Sequence, residues 1–135
     1  MFGNLFNNKI NKSLFILFLL LVIIDQTTKL LIINFFELYE SIELLPIINL
    51  TFVVNYGFAF GILNNPSLNQ IIVSLVILLI ILYFLYLLIK TQDNIFQLSL
   101  TLILAGALGN FMDRISRGFI IDFIDIYIGK YHWPA

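Results

Sequence analysis

Four groups of polar residues in this chain sit against apolar neighbours, where a charge or an amide needs a reason to be present. Asp122 lies in Phe119-Ile120-Ile121-Asp122-Phe123-Ile124, a carboxylate flanked by apolar side chains with no adjacent cation. Burial there would raise its pKa and suit it to proton transfer, whereas the plainer reading is an acid facing water at a membrane surface; the residues alone weigh the two equally. Asp25 and Lys29 are four apart, one helical turn, and can pair on one face. Such a pair pins a helix to its neighbours or borders a polar cavity, and the structural role is the favoured one. Asn110, Asp113 and Arg114 stand at i, i+3 and i+4 and share a helix face, with Gly106 and Gly109 leaving room beside it. Asp113 with Arg114 reads as a local ion pair capping the helix end. Asn55 and Gly57, in Asn55-Tyr56-Gly57-Phe58-Ala59-Phe60-Gly61, form either a turn held by the Asn side chain or a substrate-binding strand.

The chain that must position these groups has 135 residues, 61% of them hydrophobic and 11% charged, with a mean hydropathy of +1.02. A soluble domain carries about a quarter charged residues, so a water-soluble globule is excluded, and the apolar content excludes disorder. The formal net charge of -1 offers no basic face to nucleic acid. The absence of cysteine removes disulfides, thiolate catalysis and cysteine-ligated metals. His132 is the only histidine and no His-Glu-x-x-His pattern exists, so no metal site is expected. A Ser/Lys nucleophile built on Lys29 lacks a serine in a recognisable elbow or near it in sequence. A proton or ion carrier is a weak reading, since residues 71 to 89 hold no charged group.

The elements are those of an all-α membrane protein with a small β surface element, a single integral-membrane domain over residues 1–135. Three crossings are expected, at about 14–36, 71–89 and 95–112, with an outer surface segment at 37–70. The first must carry Asp25 and Lys29 inside it, where each charge costs roughly 2.5–3.5 kcal/mol on insertion scales. The small-residue run Ala105-Gly106-Ala107-Leu108-Gly109 lets the third approach a neighbour closely. Lys9, Lys12 and Lys90 place the N-terminus in the cytoplasm, although Arg114, Arg117 and Lys130 then fall on the outer side among Asp113, Asp122 and Asp125. No small-residue cleavage site follows Ile24, so the first span is not a removable leader. Between the crossings, Pro46, Pro66 and the run Asn49 to Asn55, with Leu50, Phe52 and Val54 alternating with Asn49 and Thr51, predict a short sheet or hairpin on the outer surface. Phe52, Tyr56, Phe58, Phe60, Tyr131 and Trp133 suit the headgroup zone.

Taken in order, Asp25-Gln26-Thr27-Thr28-Lys29, Asn55-Tyr56-Gly57-Phe58-Ala59-Phe60, Gly109-Asn110-Phe111-Met112-Asp113-Arg114 and Gly118-Phe119-Ile120-Ile121-Asp122-Phe123 resemble the lipoprotein signal peptidases, signal peptidase II. Any one block is weak; four in register across nearly the whole chain are specific. The resemblance implies an aspartyl endopeptidase of the bacterial cytoplasmic (inner) membrane, with four crossings, both termini cytoplasmic and a surface sheet cradling the substrate. It implies cleavage of prolipoproteins just before a cysteine carrying diacylglycerol. By the same resemblance Asp122 is a catalytic aspartate, Asn110, Asp113, Arg114, Asp25 and Lys29 support the site, and Asn55 and Gly57 shape the substrate-binding part. Its partners are lipid-modified prolipoproteins and membrane lipids, and no organic cofactor is implied; the oligomeric state is left open.

The chain departs from the family at its end. There the tail that Trp133-Pro134-Ala135 resembles runs on into Phe-Asn-x-Ala-Asp and a fourth crossing, and the last Asp is the second catalytic carboxylate. Paired carboxylates divide the work of hydrolysis: one takes a proton from the attacking water while the other, held protonated, polarises the carbonyl. A chain ending at Ala135 is therefore expected to be nearly inactive and poorly stable. Asp125 could stand in as the mate only on a helix, where it would share a face with Asp122; on a strand it would point the other way. The alternative from another class is a small non-enzymatic membrane scaffold or subunit held together by its ion pairs.

Overall fold

The computed structural model describes residues 12–57, 70–129 and 131–133. Seven elements follow one another: α1 (Lys12–Phe35), β1 (Ser41–Leu45), β2 (Ile48–Asn55), α2 (Gln70–Lys90), α3 (Asn94–Arg117), β3 (Ile120–Ile128) and β4 (Tyr131–Trp133). Each of the three helices is long and apolar enough to cross a bilayer. Their outward residues fit lipid and not water, since Ile71, Leu75, Leu79 and Tyr83 on α2 are all more than half exposed. The helices run alternately: α1 and α3 end, and α2 begins, on the side that carries the sheet.

Helix α3 is the centre of the assembly and packs against both α1 and α2. It starts at Asp93, whose carboxylate accepts from the Phe96 N–H at 2.8 Å, and stops at Gly118, which takes φ 80° and returns its N–H to the Arg114 carbonyl. It therefore extends five residues past the expected end at 112 and places Asp113 and Arg114 inside the helix, not at its cap. Hydropathy falls where charges begin, but helical geometry continues to the residue that can adopt the left-handed turn.

The surface element is a four-stranded antiparallel sheet in the order β1-β2-β3-β4. Strand β2 contains the predicted run, but a register shift between Leu50 and Val53 breaks the alternation. The residues 120–128 form β3, which pairs with β2 from Ile48↔Ile126 to Asn55↔Ile120. This pairing joins the two halves of the chain and buries Ile120 and Ile121 against the ends of α1 and α3. The expectations for Lys9, Phe58, Phe60, Pro66, Lys130, Pro134 and Ala135, and for the Trp133 side chain, lie outside the described residues.

Candidate active site

At the sheet end of α1 and α3, a set of charges is buried with its compensation. Lys29 Nζ meets Asp113 Oδ2 at 2.8 Å and Asp25 Oδ2 at 3.0 Å, and donates to Asn110 Oδ1 at 2.9 Å. These three contacts match the donor capacity of its ammonium group. Asp113, with 0% exposure, also accepts from Arg117 at 2.5 Å and from the Ile121 N–H at 3.4 Å. Gln26 Nε2 shares its hydrogens among Asp25 Oδ2, the Gly109 carbonyl and Asp113 Oδ1. The close approach is made by Gly109, where a Cβ would collide with the Asp25 carboxylate, 2.7 Å from its Cγ. Gly106 has open space beside it and plays no such part.

The local ion pair read between Asp113 and Arg114 does not form. Successive helix residues point about 100° apart, so Asp113 turns to α1 and to Arg117 one turn on, while Arg114 turns towards the end of β2. There the Arg114 guanidinium donates to the Gly57 carbonyl. Asn55 accepts from the Gly57 N–H through Oδ1 at 2.8 Å, an Asn-held turn, and this fixes Nδ2 to donate to Asp122 Oδ2 at 2.9 Å. The Asn-held turn is present and follows directly on a strand, since Asn55 ends β2 and begins the turn.

Asp122 sits half-buried on β3, above the ion cluster. Burial pushes its carboxyl up from the ordinary value, while the Asn55 hydrogen bond and the positive charges of Lys29 and Arg114 pull the other way and Asp113 adds to the rise. The result is a carboxyl that keeps its proton to a higher pH than an exposed one. Asp125 is three residues along a strand and so faces the opposite side, where it pairs with His132 Nδ1 at 2.9 Å and accepts from Asn49 at 3.4 Å. It is not the mate of Asp122. The sequence reading passed over Gln26 and Arg117, although each had a signal: an amide inside an apolar span, and a cation four residues after Asp113.

The arrangement gathers into one place residues of all four sequence blocks that carried the resemblance, with Gly118 stopping the helix between the third and the fourth. Residues 17–135 match the family described as Signal peptidase (SPase) II. The chain belongs to that family. A lipoprotein signal peptidase of Francisella tularensis subsp. novicida (strain U112) is 41% identical over 125 residues, covering 90% of this chain and 78% of that protein. One from Wigglesworthia glossinidia brevipalpis is 39% identical over 114 residues, covering 84% of this chain and 74% of its own length. A solved structure described as a bacterial membrane enzyme is 32% identical and superposes with a TM-score of 0.82 over 92% of this chain and 76% of that one. As a signal peptidase II, the protein is an aspartic-type, multi-pass membrane peptidase acting in signal-peptide removal from lipoprotein precursors. The scaffold alternative is set aside.

Proposed function

We propose that this peptidase cuts prolipoproteins immediately before a diacylglyceryl-modified cysteine, with Asp122 as one carboxylate of the catalytic pair. The observation that carries the assignment is the environment of Asp122: a half-buried carboxyl with raised pKa, met by one amide and by no ion pair among the described residues. Asp25 and Asp113 are committed to Lys29, and Asp125 to His132 on the other face, so none of them matches that description.

In this reading the mate is the carboxylate that the resemblance places beyond Ala135, and a water lies between the two. The pair shares one proton because two close carboxylates cannot both ionise easily. Burial favours that proton on Asp122, which polarises the scissile carbonyl while the mate receives a proton from the water. Asn55 and Gly57 shape the substrate side, Asn110, Asp113, Asp25 and Lys29 hold α1 to α3 beneath it, and Arg114 ties that base to the turn. The lipid chains of the substrate stay in the bilayer. The enzyme resides in the cytoplasmic membrane of a bacterium with its N-terminus inside, the orientation given by Lys12 and Lys90 on the side away from the sheet.

The test is Asp122→Asn, introduced into the native gene and followed by the processing of a lipid-modified prolipoprotein. Accumulation of the uncleaved, lipid-bearing precursor is expected; normal maturation would remove Asp122 from the mechanism.

A further inference from the structure

Away from the ion cluster, three buried polar atoms have no hydrogen-bond partner among the described residues: Gln70 Oε1, Ser74 Oγ and Arg114 Nε. Two of these belong to side chains that are tightly held elsewhere. Gln70 Nε2 donates to the Tyr56 carbonyl at 2.8 Å, and Arg114 donates through Nη2 to the Gly57 carbonyl. The first turn of α2 and the last turns of α3 thus grip two successive carbonyls, each side chain leaving another of its polar atoms unsatisfied in the interior. The Tyr56 ring adds an edge-on contact with Phe119, 5.8 Å between centroids, which ties the same peptide to the residue preceding β3.

The gripped peptide is the one that decides how the Asn55 amide faces. With the Gly57 N–H on Oδ1, only Nδ2 can point to Asp122. An amide turned the other way would present Oδ1 to the carboxylate, repelling it when ionised and accepting from it when protonated. The state of Asp122 therefore depends on a turn that Asp122 does not touch.

We propose that Gln70 is a positioning residue for Asp122: by holding the Tyr56 carbonyl from the start of α2 it fixes the Asn55–Gly57 turn, and with it the hydrogen bond that Asn55 donates to the carboxylate. The proposal rests on the reading of Asp122 as catalytic. Four groups face that carboxylate: Asn55 from β2, Lys29 from α1, and Arg114 and Asp113 from α3. The first three favour its ionised form and Asp113 opposes it, so weakening the Asn55 donor moves the balance towards the protonated form.

Gln70→Glu tests this above the pH at which the new side chain ionises, since the carboxylate keeps the size of the side chain but has no hydrogen to give the Tyr56 carbonyl. Gln70→Met, which keeps length and removes all polarity, guards against a substitution that merely strains the helix. The enzyme expressed from its native gene is reconstituted in bilayers and assayed on a lipid-modified prolipoprotein across pH. Both variants should lower kcat by about two- to tenfold, the worth of one hydrogen bond. They should move the alkaline limb of kcat to higher pH by roughly half a unit to one, with KM little changed. Ser74→Ala, which removes an unpartnered hydroxyl from the same helix face, should leave the profile in place. A folded Gln70→Glu or Gln70→Met enzyme with an unmoved pH profile, or one altered in KM or thermal stability alone, overturns the proposal. If Asp122→Asn keeps its activity, the catalytic reading itself fails; if Asp122→Asn is inactive and the Gln70 profiles are native, only the positioning role falls.

Discussion

Asp113 and Asp122 are nine residues apart in the chain and meet opposite surroundings. Asp113 is fully buried, yet two cations, an amide and a backbone N–H converge on it. Asp122 is only half-buried, and a single amide from Asn55 meets it. Desolvation shifts the proton binding of Asp122 upward. Burial alone does not make a carboxylate reactive. What matters is burial that the surroundings leave partly uncompensated, because a fully paired charge is fixed while an underpaired one can exchange a proton. On the proposed reading, the lower cluster is the structural base and the rim of the sheet carries the chemistry.

The largest effect should come from breaking the base. Lys29→Met leaves Asp113 and Asp25 without their common cation, and removing one partner from a buried ion pair costs about 3–5 kcal/mol. That consumes much of the stability of an ordinary domain. Little folded protein should accumulate, as judged by detergent-solubilised yield and thermal unfolding. A native melting curve for this variant would show that the base is not structural.

Asp122→Asn should behave in the reverse manner, with a loss of roughly 10²- to 10⁴-fold in kcat and a fold that is intact. Its stability carries a pH signature. In the native protein the Asp122 carboxyl keeps its proton to a higher pH than it does unfolded, so the unfolded chain releases the proton first. Stability therefore falls as pH rises through the window between the two pKa values. The variant escapes that fall, so its melting temperature should exceed the native one above the window, and the margin should shrink as pH falls through the window towards the unfolded value of about 3.9. A margin independent of pH would contradict the partial compensation of Asp122.

Gly109→Ala probes the seam between the two regions. Its new methyl group would press on the Asp25 carboxylate and force α1 away from α3. Overpacking of this kind costs about 1–3 kcal/mol, and Gly106→Ala, with open space around it, should cost almost nothing. Equal melting temperatures for the two variants would mean that the helices do not rely on that contact.

Much of this architecture was legible in the residues, for identifiable reasons. An uninterrupted run such as Ile71 to Ile89 has one physical outlet, a membrane helix, and the run from Asn49 to Asn55 announced a strand. The residues 120–128 did not announce theirs, because an apolar stretch of that length without a clear period fits helix and strand equally. The strand is decided by pairing with β2, some 70 positions earlier, which a local pattern does not contain. Within the site, Asp25 and Lys29 could be paired by spacing alone. The bond from Lys29 to Asp113 and the grip of Gln70 on Tyr56 are tertiary facts between residues 84 and 14 positions apart. The misreading of Arg114 came from treating chain adjacency as contact, which helix geometry forbids.

The smallest effect is expected on the face of the sheet that points away from Asp122. There His132 lies on Asp125 at 2.9 Å and stacks on Tyr127, with centroids 5.5 Å apart, but the His132 side chain is 56% exposed. An exposed pair of this kind is worth at most about 1 kcal/mol, because water competes for both groups and ordering the side chains offsets part of the gain. His132→Ala should therefore lower the melting temperature only slightly and leave the kcat–pH profile unchanged. Since Asp125 and Asp122 project to opposite faces of β3, a change at one has no direct path to the proton on the other. A shifted profile in His132→Ala would mean that the two faces are coupled through the backbone of β3, and the separation between a chemical rim and a merely structural face would have to be redrawn.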